Sequence, residues 1–417
     1  MKNKMKLITK IAIAFVLSIG IFSCSDDEVK LASLTVLVET SADFTGLDLT
    51  GLTVTMTNSV DNSTSSTTTD ATGLAMFINV APGTYSVACT LALTAEEASE
   101  ASGYYEEITL NGVENDVNLF GGVESTSTLV LDGKPSSSLI IKEFYYNGAN
   151  DPMWGVLFKD QFVEIYNNSS EVVYADGLYV ASLAPTASGS SANDVALGLD
   201  LTESVYADKL TQIPGNGTDY PIQPGECIII AYDAVDWTND GANSAFTVDL
   251  SNADFEMYAV SWLESLGRTG SIWFDVDNVD VTNMNCIYLN IENYGSLNFN
   301  PTAASIAILN CETAPSVLIK DPNSSDTSPI YYIKLNTADI IDGADFLYNG
   351  EAAAFKRLPT SVDAGFNFVT GNTYTSQSMR RKVAKVTDDG RKVLMDTNNS
   401  TNDFEVISLA TPGGFGE

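Results

Sequence analysis

Residues 161–180 read QFVEIYNNSSEVVYADGLYV. Two runs rich in Val, Ile, Tyr and Phe are separated here by a polar stretch of Asn, Ser and Glu. Short β-branched and aromatic runs bounded by turn-forming residues are typical of β-strands, whereas an amphipathic helix needs apolar residues at intervals of three and four. The segment therefore predicts two consecutive strands joined by a turn.

The same pattern recurs through most of the 417 residues, so the sequence predicts an all-β protein. One segment differs: in residues 94–102 (TAEEASEAS) a Thr precedes clustered Glu and Ala, which predicts a short capped helix. The length suggests two or three domains, and a hydrophobic content of 44% is sufficient for packed cores.

The first predicted domain spans residues 31–133, with strand spacing expected of a β-sandwich. In residues 70–85 (DATGLAMFINVAPGTY), Asp70 and Gly73 fit a tight turn and Pro82-Gly83 leads into a strand. This segment resembles the carboxypeptidase-regulatory-like and Cna-B-like sandwiches, which have a prealbumin-like fold. The resemblance implies a structural or spacer domain without catalysis. Strands are predicted at residues 33–40, 52–58, 75–80, 84–93, 104–110 and 127–131.

Residues 134–138 (KPSSS) are predicted to be a linker, and residues 139–417 to form the second domain. Four motifs there resemble the lamin-tail domain, an immunoglobulin-like β-sandwich. They are residues 141–143 (IKE), 162–167 (FVEIYN), 176–180 (DGLYV) and 224–230 (PGECIII). Residues from about 240 to 375 depart from the compact lamin-tail pattern, so an insertion is expected there.

The N-terminus predicts an export signal. Residues 1–10 are basic and residues 11–22 (IAIAFVLSIGIF) are apolar, too short to span a bilayer and suited to a signal peptide over residues 1–23. The ending Ile21-Phe-Ser-Cys24 resembles a bacterial lipobox, which implies that Cys24 is lipidated. Residues 24–30 then form an acidic tether, and its start, Ser25-Asp-Asp-Glu28, resembles the Bacteroidota signal for export to the outer face of the outer membrane.

The ensemble resembles one family of Bacteroidota surface lipoproteins, DUF4876. Cys24, the N-terminal sandwich and three further motifs carry the resemblance. These motifs are residues 356–363 (KRLPTSVD), 378–382 (SMRRK) and 396–404 (DTNNSTNDF). The family implies two tandem β-sandwiches at the cell surface, and it implies no reaction.

Composition excludes several functions. The chain contains no His, so Ser-His-Asp and Cys-His catalysis and His-ligated zinc or haem are impossible. Its 20 basic and 54 acidic residues give a net charge of −34; without residues 1–23, which hold four Lys and no acid, 16 basic residues remain and the charge is −38. Such a charge repels phosphate backbones, so nucleic-acid binding is not expected.

Four cysteines remain after Cys24, namely Cys89, Cys227, Cys286 and Cys311. All lie in apolar strand-like runs without CxxC pairing, so buried free thiols are favoured over disulfides. A Cys286–Cys311 disulfide is the alternative pairing to test first.

Acidic loops are the candidates for a metal site. Asp275, Asp277 and Asp280 lie close together in sequence, and Ca²⁺ prefers such oxygen ligands. Without His, any bound metal is expected to be Ca²⁺. The alternative is that these carboxylates are solvated, as expected of acidic loops in a strongly acidic chain. No other cofactor is indicated.

Basic and aromatic residues are the candidates for a binding surface. Arg380, Arg381 and Lys382 begin a cluster of six basic residues around the turn Thr387-Asp-Asp-Gly390, which predicts a β-hairpin. They could form a docking patch or merely cover a sheet edge. Trp154 and Trp237 lie in loops containing Asp and Gly and are candidate binding residues, although packing is the alternative. In the tyrosine pairs 104–105, 145–146 and 331–332, one ring is expected to face inward and the other outward.

These features favour a non-enzymatic binding or accessory lipoprotein of the outer-membrane surface. Its expected partners are the membrane, through the lipid on Cys24, and an uptake system such as a TonB-dependent transporter. Two alternatives stay open. One is a carboxylate-dependent glycan hydrolase, since that chemistry needs no His. The other is an adhesin or structural surface protein.

Overall fold

The computed structural model describes residues 30–102, 107–134, 137–151, 155–184, 201, 203–238, 246–268, 275–290, 296–322, 324–350, 352–371 and 373–415. Among these residues, no helix is both long and apolar enough to cross a membrane. Strands dominate throughout, which confirms the all-β prediction.

The first unit is a sandwich of a three-stranded sheet, order β4-β1-β7, and a four-stranded sheet, order β3-β2-β5-β6. Alternate residues of β1, such as Leu34 and Val36, are buried against Phe77, Val87 and Leu110. Its elements are β1 Ala32–Thr40, β2 Thr53–Asn58, β3 Thr64–Thr68, β4 Leu74–Val80, β5 Gly83–Leu93, α1 Ala95–Ser102, β6 Ile108–Leu119 and β7 Glu124–Leu131.

Local sequence signals are confirmed in this unit. Helix α1 begins after Thr94, whose hydroxyl accepts a hydrogen bond from the Glu97 N–H at 3.3 Å. The Glu97 carboxylate in turn accepts one from the Thr94 N–H at 2.9 Å, which completes a capping box. In the predicted tight turn, Asp70 Oδ1 accepts hydrogen bonds from the N–H groups of Thr72 at 2.7 Å and Leu74 at 3.1 Å.

Replacing Gly73 with Ala is expected to lower the free energy of unfolding of this sandwich. Gly73 has a φ of +78°, and a Cβ there would lie 2.6 Å from the Val38 carbonyl oxygen. A strained backbone conformation of this kind costs about 1–3 kcal/mol, and the steric clash adds to it. Gly46→Ala is a matched control, since Gly46 has a φ of +77° and nothing within 4 Å of its Cβ position. Urea unfolding that shows equal losses for the two variants would contradict the role of the clash.

The second unit contains two seven-stranded sheets. One has the order β18-β17-β16-β11-β8-β24-β27, and the other has the order β21-β22-β14-β13-β20-β23, with β19 also paired to β14. Buried residues from both sheets, including Ile141, Val163, Val180 and Ile306, form a shared core. Smaller two-stranded pairs are β9 with β10, β12 with β15 and β25 with β26.

The strands of this unit follow in chain order. They are β8 Leu139–Tyr145, β9 Ala149–Asp151, β10 Gly155–Leu157, β11 Phe162–Asn167, β12 Val173–Tyr174, β13 Tyr179–Leu183, β14 Ser204–Gln212, β15 Pro221–Ile222, β16 Cys227–Ala231, β17 Phe255–Glu256, β18 Thr282–Asn283, β19 Asn285–Leu289, β20 Ala304–Leu309, β21 Leu318–Lys320, β22 Tyr331–Asn336, β23 Ile340–Phe346, β24 Ser378–Arg381, β25 Val383–Val386, β26 Lys392–Leu394 and β27 Phe404–Ile407. The helices are α2 Val260–Ser265, α3 Ser400–Asp403 and the 3₁₀ turns Thr337–Asp339 and Ala353–Phe355.

The described residues of the stretch 240–375, where an insertion into the lamin-tail pattern is expected, contribute strands to both large sheets. This stretch supplies β17 and β18 to the first large sheet and β19 through β23 to the second. It is therefore part of the sandwich, because these strands pair with strands distant in sequence. Among the described residues, strands of the first unit pair only with one another. The exact domain boundaries stay a prediction.

The free-thiol prediction is confirmed. Cys89, Cys227, Cys286 and Cys311 are unpaired, with Cys89 buried and the others half-buried. Burial raises the pKa of Cys89 and Cys227 to about 11 and that of Cys286 to about 12. These thiols are therefore protonated and poorly nucleophilic at neutral pH.

Candidate functional site

Three buried carboxylates meet at one edge of the first large sheet. Asp233 lies just after β16, Glu256 lies in β17, and Asp275 precedes β18. The parallel pairing of β16 with β17, in which Ala231 faces Glu256, brings these distant segments together. All three side chains are buried, and Asp233 is 0% exposed.

Backbone N–H groups satisfy only part of this cluster. Glu256 accepts hydrogen bonds from the N–H groups of Ala234 at 2.6 Å and Asn278 at 2.8 Å. Asp275 Oδ2 accepts one from the Ala259 N–H at 3.0 Å. The remaining oxygens, Asp233 Oδ2 and Asp275 Oδ1, are buried and accept no hydrogen bond from the part of the chain that the structure describes.

A lysine and a tryptophan border the same cluster. Lys159 Nζ lies 3.9 Å from Asp233 Oδ2 and 5.9 Å from the centroid of the Trp237 ring. Trp237 is half-buried, and its indole Nε1 has no acceptor among the described residues. Two residues predicted for different roles, Asp275 for metal and Trp237 for recognition, therefore belong to one site.

The site raises the pKa of two of its carboxyl groups by different amounts. Burial, and next the negative charge of Asp275, raise the pKa of Asp233 to about 8, with Lys159 partly opposing the shift. Burial raises the pKa of Asp275 to about 6, partly offset by the hydrogen bond from the Ala259 N–H. At neutral pH, Asp233 is therefore mostly protonated, so it can donate a hydrogen bond.

The predicted calcium ligands are not brought together. Asp275 is buried, whereas Asp277 and Asp280 are exposed, and Asp277 Oδ1 accepts a hydrogen bond from the Asn283 amide at 2.8 Å. In the described part of the chain, no group of three or more Asp, Glu or Cys side chains is arranged to hold a metal ion. Calcium binding by these residues stays a prediction that this geometry does not support. Cys24 and Trp154 lie outside the described residues.

The assignment of Arg381 to a docking patch is wrong, because Arg381 is buried with only 2% of its side chain exposed. Its guanidinium lies 2.7 Å from Asp342, 3.1 Å from Asp396 and 3.4 Å from Asp403. It also donates a hydrogen bond from Nε to the Ile141 carbonyl oxygen at 2.9 Å. The side chain is a structural cross-link between strands.

The neighbouring basic residues mainly bind nearby protein atoms. Arg380 donates to the Thr411 hydroxyl at 3.0 Å, and Lys382 donates to the Asn402 carbonyl oxygen at 2.5 Å. The predicted hairpin is confirmed by the pairing of β25 with β26. Arg391 reaches back from it to the Asn168 carbonyl oxygen at 2.9 Å. These contacts indicate that the basic residues cover a sheet edge, and they do not favour docking of a partner.

A buried charged cluster on β8 and β11 was not predicted from the sequence. Lys142 Nζ lies 2.6 Å from Glu164, and both side chains are buried. The segment after Ala410 covers them: the Thr411 N–H donates to Glu143 at 3.1 Å, and the Phe415 ring centroid lies 4.5 Å from Lys142 Nζ. Burial, and next the charge of Glu164, raise the pKa of Glu143 to about 7. The sequence contained an indication of this cluster, because Lys142 and Glu143 interrupt an otherwise apolar strand in residues 139–146.

The tyrosine pairs give a mixed outcome. Tyr331 is exposed and Tyr332 is buried, as expected. Tyr145 and Tyr146 are both fully buried, so that expectation is wrong for this pair. Both faces of β8 are covered, one by the second sheet and the other by packed loops.

One small cavity lies between the two large sheets. It has a volume of about 10 Å³ and is lined by Val180, Ser182, Lys209, Thr211, Met257, Leu297 and Phe299. A space of that size holds about one water molecule. This cavity is too small for a sugar ring.

Comparisons with known proteins give one informative match. The family described as "Protein of unknown function (DUF4876)" matches residues 223–411. The crystal structure of a DUF4876 family protein from Bacteroides thetaiotaomicron is 25% identical, with a TM-score of 0.55, and the alignment covers 90% of this chain and 94% of that chain. No curated protein matches this chain.

Two further solved structures are much less similar. The Bacillus anthracis TIE protein is 13% identical, with a TM-score of 0.18, and the alignment covers 48% of this chain and 28% of that chain. A DUF3823 family protein from Parabacteroides merdae is 12% identical, with a TM-score of 0.16, and the alignment covers 47% of this chain and 96% of that chain. Similarity at this level supports no inference about fold or function.

Proposed function

We propose that this chain, of which residues 223–411 match the DUF4876 family, is a lipid-anchored binding or accessory protein of the outer-membrane surface. In this proposal the first sandwich is a spacer and the second carries the recognition site. The partner is an outer-membrane uptake system.

The proposed binding role rests on one site. It is formed by Asp233, Asp275, Lys159 and Trp237. It combines a half-buried indole, a lysine ammonium 3.9 Å from Asp233 Oδ2, and two buried carboxyl groups. An aromatic ring beside a few polar groups is the composition expected of a recognition site. By contrast, Arg381 and Lys142 are used in internal ion pairs that hold the scaffold together.

Replacing Cys24 with Ser is expected to abolish membrane attachment, because the acyl chains are the proposed anchor. The measurement is metabolic labelling of the full chain with an alkyne fatty acid, followed by cell fractionation. Wild type should be labelled and recovered with the outer membrane, whereas Cys24→Ser should be unlabelled and released from it.

Cys311→Ser is the matched control, since Cys311 is a half-buried free thiol elsewhere in the chain. It should retain the fatty-acid label and be recovered with the outer membrane.

Protease added to intact cells should digest the wild-type protein. Fatty-acid labelling of Cys24→Ser would contradict the lipid anchor. Full protection of the wild-type protein from the protease would contradict its outward orientation. Affinity purification of wild type that recovers no outer-membrane barrel would contradict the proposed partner.

One observation favours the alternative of a glycan hydrolase. The pKa of Asp233 is raised to about 8 and that of Asp275 to about 6, and a pair of carboxyl groups with separated pKa values can supply an acid and a base. The test is release of reducing sugar from surface glycans by the purified chain. Our proposal expects none; release that is lost in Asp233→Asn would establish the alternative instead.

A further inference from the structure

Large apolar side chains are exposed together at one end of the first sandwich. We call this set of five residues the apolar tip. Its members are Leu31 at 46% exposed, Val60 at 86%, Ile78 at 68%, Phe120 at 64% and Val123 at 46%. Exposed apolar groups that cluster in this way mark an interaction surface.

Backbone hydrogen bonds hold the β6–β7 turn of the tip against the first described residues. The Gly122 N–H donates to the Leu31 carbonyl oxygen at 3.0 Å, and the Ser33 N–H donates to the Val123 carbonyl oxygen at 3.2 Å. A Cβ on Gly121 would lie 2.6 Å from the Lys30 carbonyl oxygen, so only Gly permits this close approach. Phe120, Val123 and Leu31 are therefore held in fixed positions.

The β2–β3 turn brings Val60 to the same end. The Ser59 N–H donates to the Thr84 carbonyl oxygen at 3.0 Å, and the adjacent Gly83 pairs with Leu119 at the end of β6. Ile78 lies on β4 two residues before Val80, which pairs with Ala32 at the start of β1. The tip thus combines two turns, the residue before β1 and the end of β4.

The opposite end of this sandwich contacts the second unit. The Asn111 side chain donates to the Thr397 carbonyl oxygen at 2.7 Å, and Lys134 Nζ donates to the Thr337 carbonyl oxygen at 2.6 Å. The Asn398 amide donates to the Lys134 carbonyl oxygen at 3.1 Å. The apolar tip therefore points away from the second unit.

We propose that the apolar tip contacts the lipid bilayer that holds the acylated Cys24. This inference rests on the proposed lipid anchor. Cys24 lies six residues before Lys30, and six extended residues reach about 20 Å at most. The anchor thus confines the tip close to the membrane surface, where Phe, Leu, Ile and Val side chains gain by leaving water.

The charged residues around the apolar tip do not attract it to an anionic lipid surface. The exposed charged residues of the two turns and the chain start are Lys30, Asp61 and Glu124, with a net charge of −1, and the tether adds three acids, Asp26, Asp27 and Glu28. This end is therefore acidic, so the proposed contact depends on burial of apolar side chains and not on electrostatic attraction to anionic lipid. Contact there would direct the second unit away from the bilayer.

The test uses the full lipidated chain reconstituted in vesicles of phosphatidylcholine and phosphatidylglycerol. Phe120→Cys carries an environment-sensitive fluorophore, and Val279→Cys is the matched control because Val279 is 85% exposed in the second unit. Wild type labelled in the same way measures the background from the native thiols. Nitroxide-bearing lipids should quench the probe at position 120 several-fold more than the probe at position 279, and its emission should shift to the blue.

Mass analysis of the N-terminal peptide separates the two ways in which the inference can fail. If Cys24 carries lipid but both probes are quenched equally, the membrane contact of the tip is wrong and the lipid anchor stands. If Cys24 carries no lipid, the proposed anchor is wrong and the inference falls with it. Stronger quenching at position 120 than at position 279 in a lipidated chain supports both the lipid anchor and the membrane contact of the tip.

Discussion

Replacing Arg381 with Met is expected to lower the free energy of unfolding of the second unit by about 3–5 kcal/mol, the cost of breaking a buried ion pair by removing one partner. Arg381 is the cation shared by Asp342, Asp396 and Asp403, all of which are largely buried. Without it these carboxylates stay buried without a neutralising charge. The Ile141 carbonyl oxygen also loses its hydrogen bond from Nε.

The loss of stability in the Arg381→Met variant should depend on pH. Burial raises the pKa of Asp342 to about 7, although the charge of Arg381 opposes the shift. Removing Arg381 removes that opposition, so the pKa of Asp342 rises further in the folded variant. A carboxyl group with a raised pKa contributes stability that is lost as pH rises. The variant should therefore be least stable relative to wild type at pH 8 and recover partly at pH 5.

Lys382→Met is the matched control for this prediction. Lys382 is the adjacent basic residue, is only half-buried, and donates to the Asn402 carbonyl oxygen at an exposed position. Its loss should cost at most about 1 kcal/mol. Urea unfolding followed by circular dichroism at pH 5 and pH 8 measures both variants. Equal destabilisation by the two would show that Arg381 is not the structural cross-link described above.

Replacing Asp233 with Asn is expected to stabilise the protein at pH 8. The ordinary pKa of an Asp is 3.8, and in the folded protein that of Asp233 is about 8, mainly because of burial. Since the folded pKa is raised, the stability contributed by protonated Asp233 is fully present below pH 3.8 and is lost as pH rises through 8. Asn has nearly the same shape and cannot ionise, so this loss disappears.

Each pKa unit corresponds to about 1.4 kcal/mol, so the gain at pH 8 should be about 2–5 kcal/mol. At pH 4 the variant and wild type should be nearly equal. Asp277→Asn is the control, because Asp277 is an exposed acid in the same region of the chain. The measurement is the urea midpoint from pH 4 to pH 8. A variant that is less stable than wild type at pH 8 would mean that Asp233 is ionised and paired in the folded state.

Much of the fold could be predicted from the sequence because its signals are local. Alternating apolar residues predict β1, a Thr followed three residues later by Glu predicts the start of α1, and Asp-Gly predicts the turn between β25 and β26. Each signal depends on residues within a few positions of one another. The turn at Gly73 is also predicted from neighbouring residues. The close approach to the Val38 carbonyl oxygen, which favours glycine there, joins residues that are far apart in the chain.

The candidate site was only partly predictable. Asp275 and Trp237 could be selected by residue type, but Asp233 could not, because nothing in its neighbourhood distinguishes it from the other acidic residues. The parallel pairing of β16 with β17 brings Asp233 and Glu256 together. The same limitation explains the error at Arg381, since a basic cluster in sequence does not reveal which side chain faces the interior.

The sequence by itself determined the all-β class, most strand positions, the capped helix, the free thiols and the family resemblance. Only the tertiary structure decided that residues 240–375 complete the two sheets, that Arg381 is buried among three aspartates, and that five apolar side chains share one end of the first sandwich. The physical reason is that strand pairing joins residues far apart in the chain. Whether a charged side chain lies in water or in a protein interior depends on that pairing.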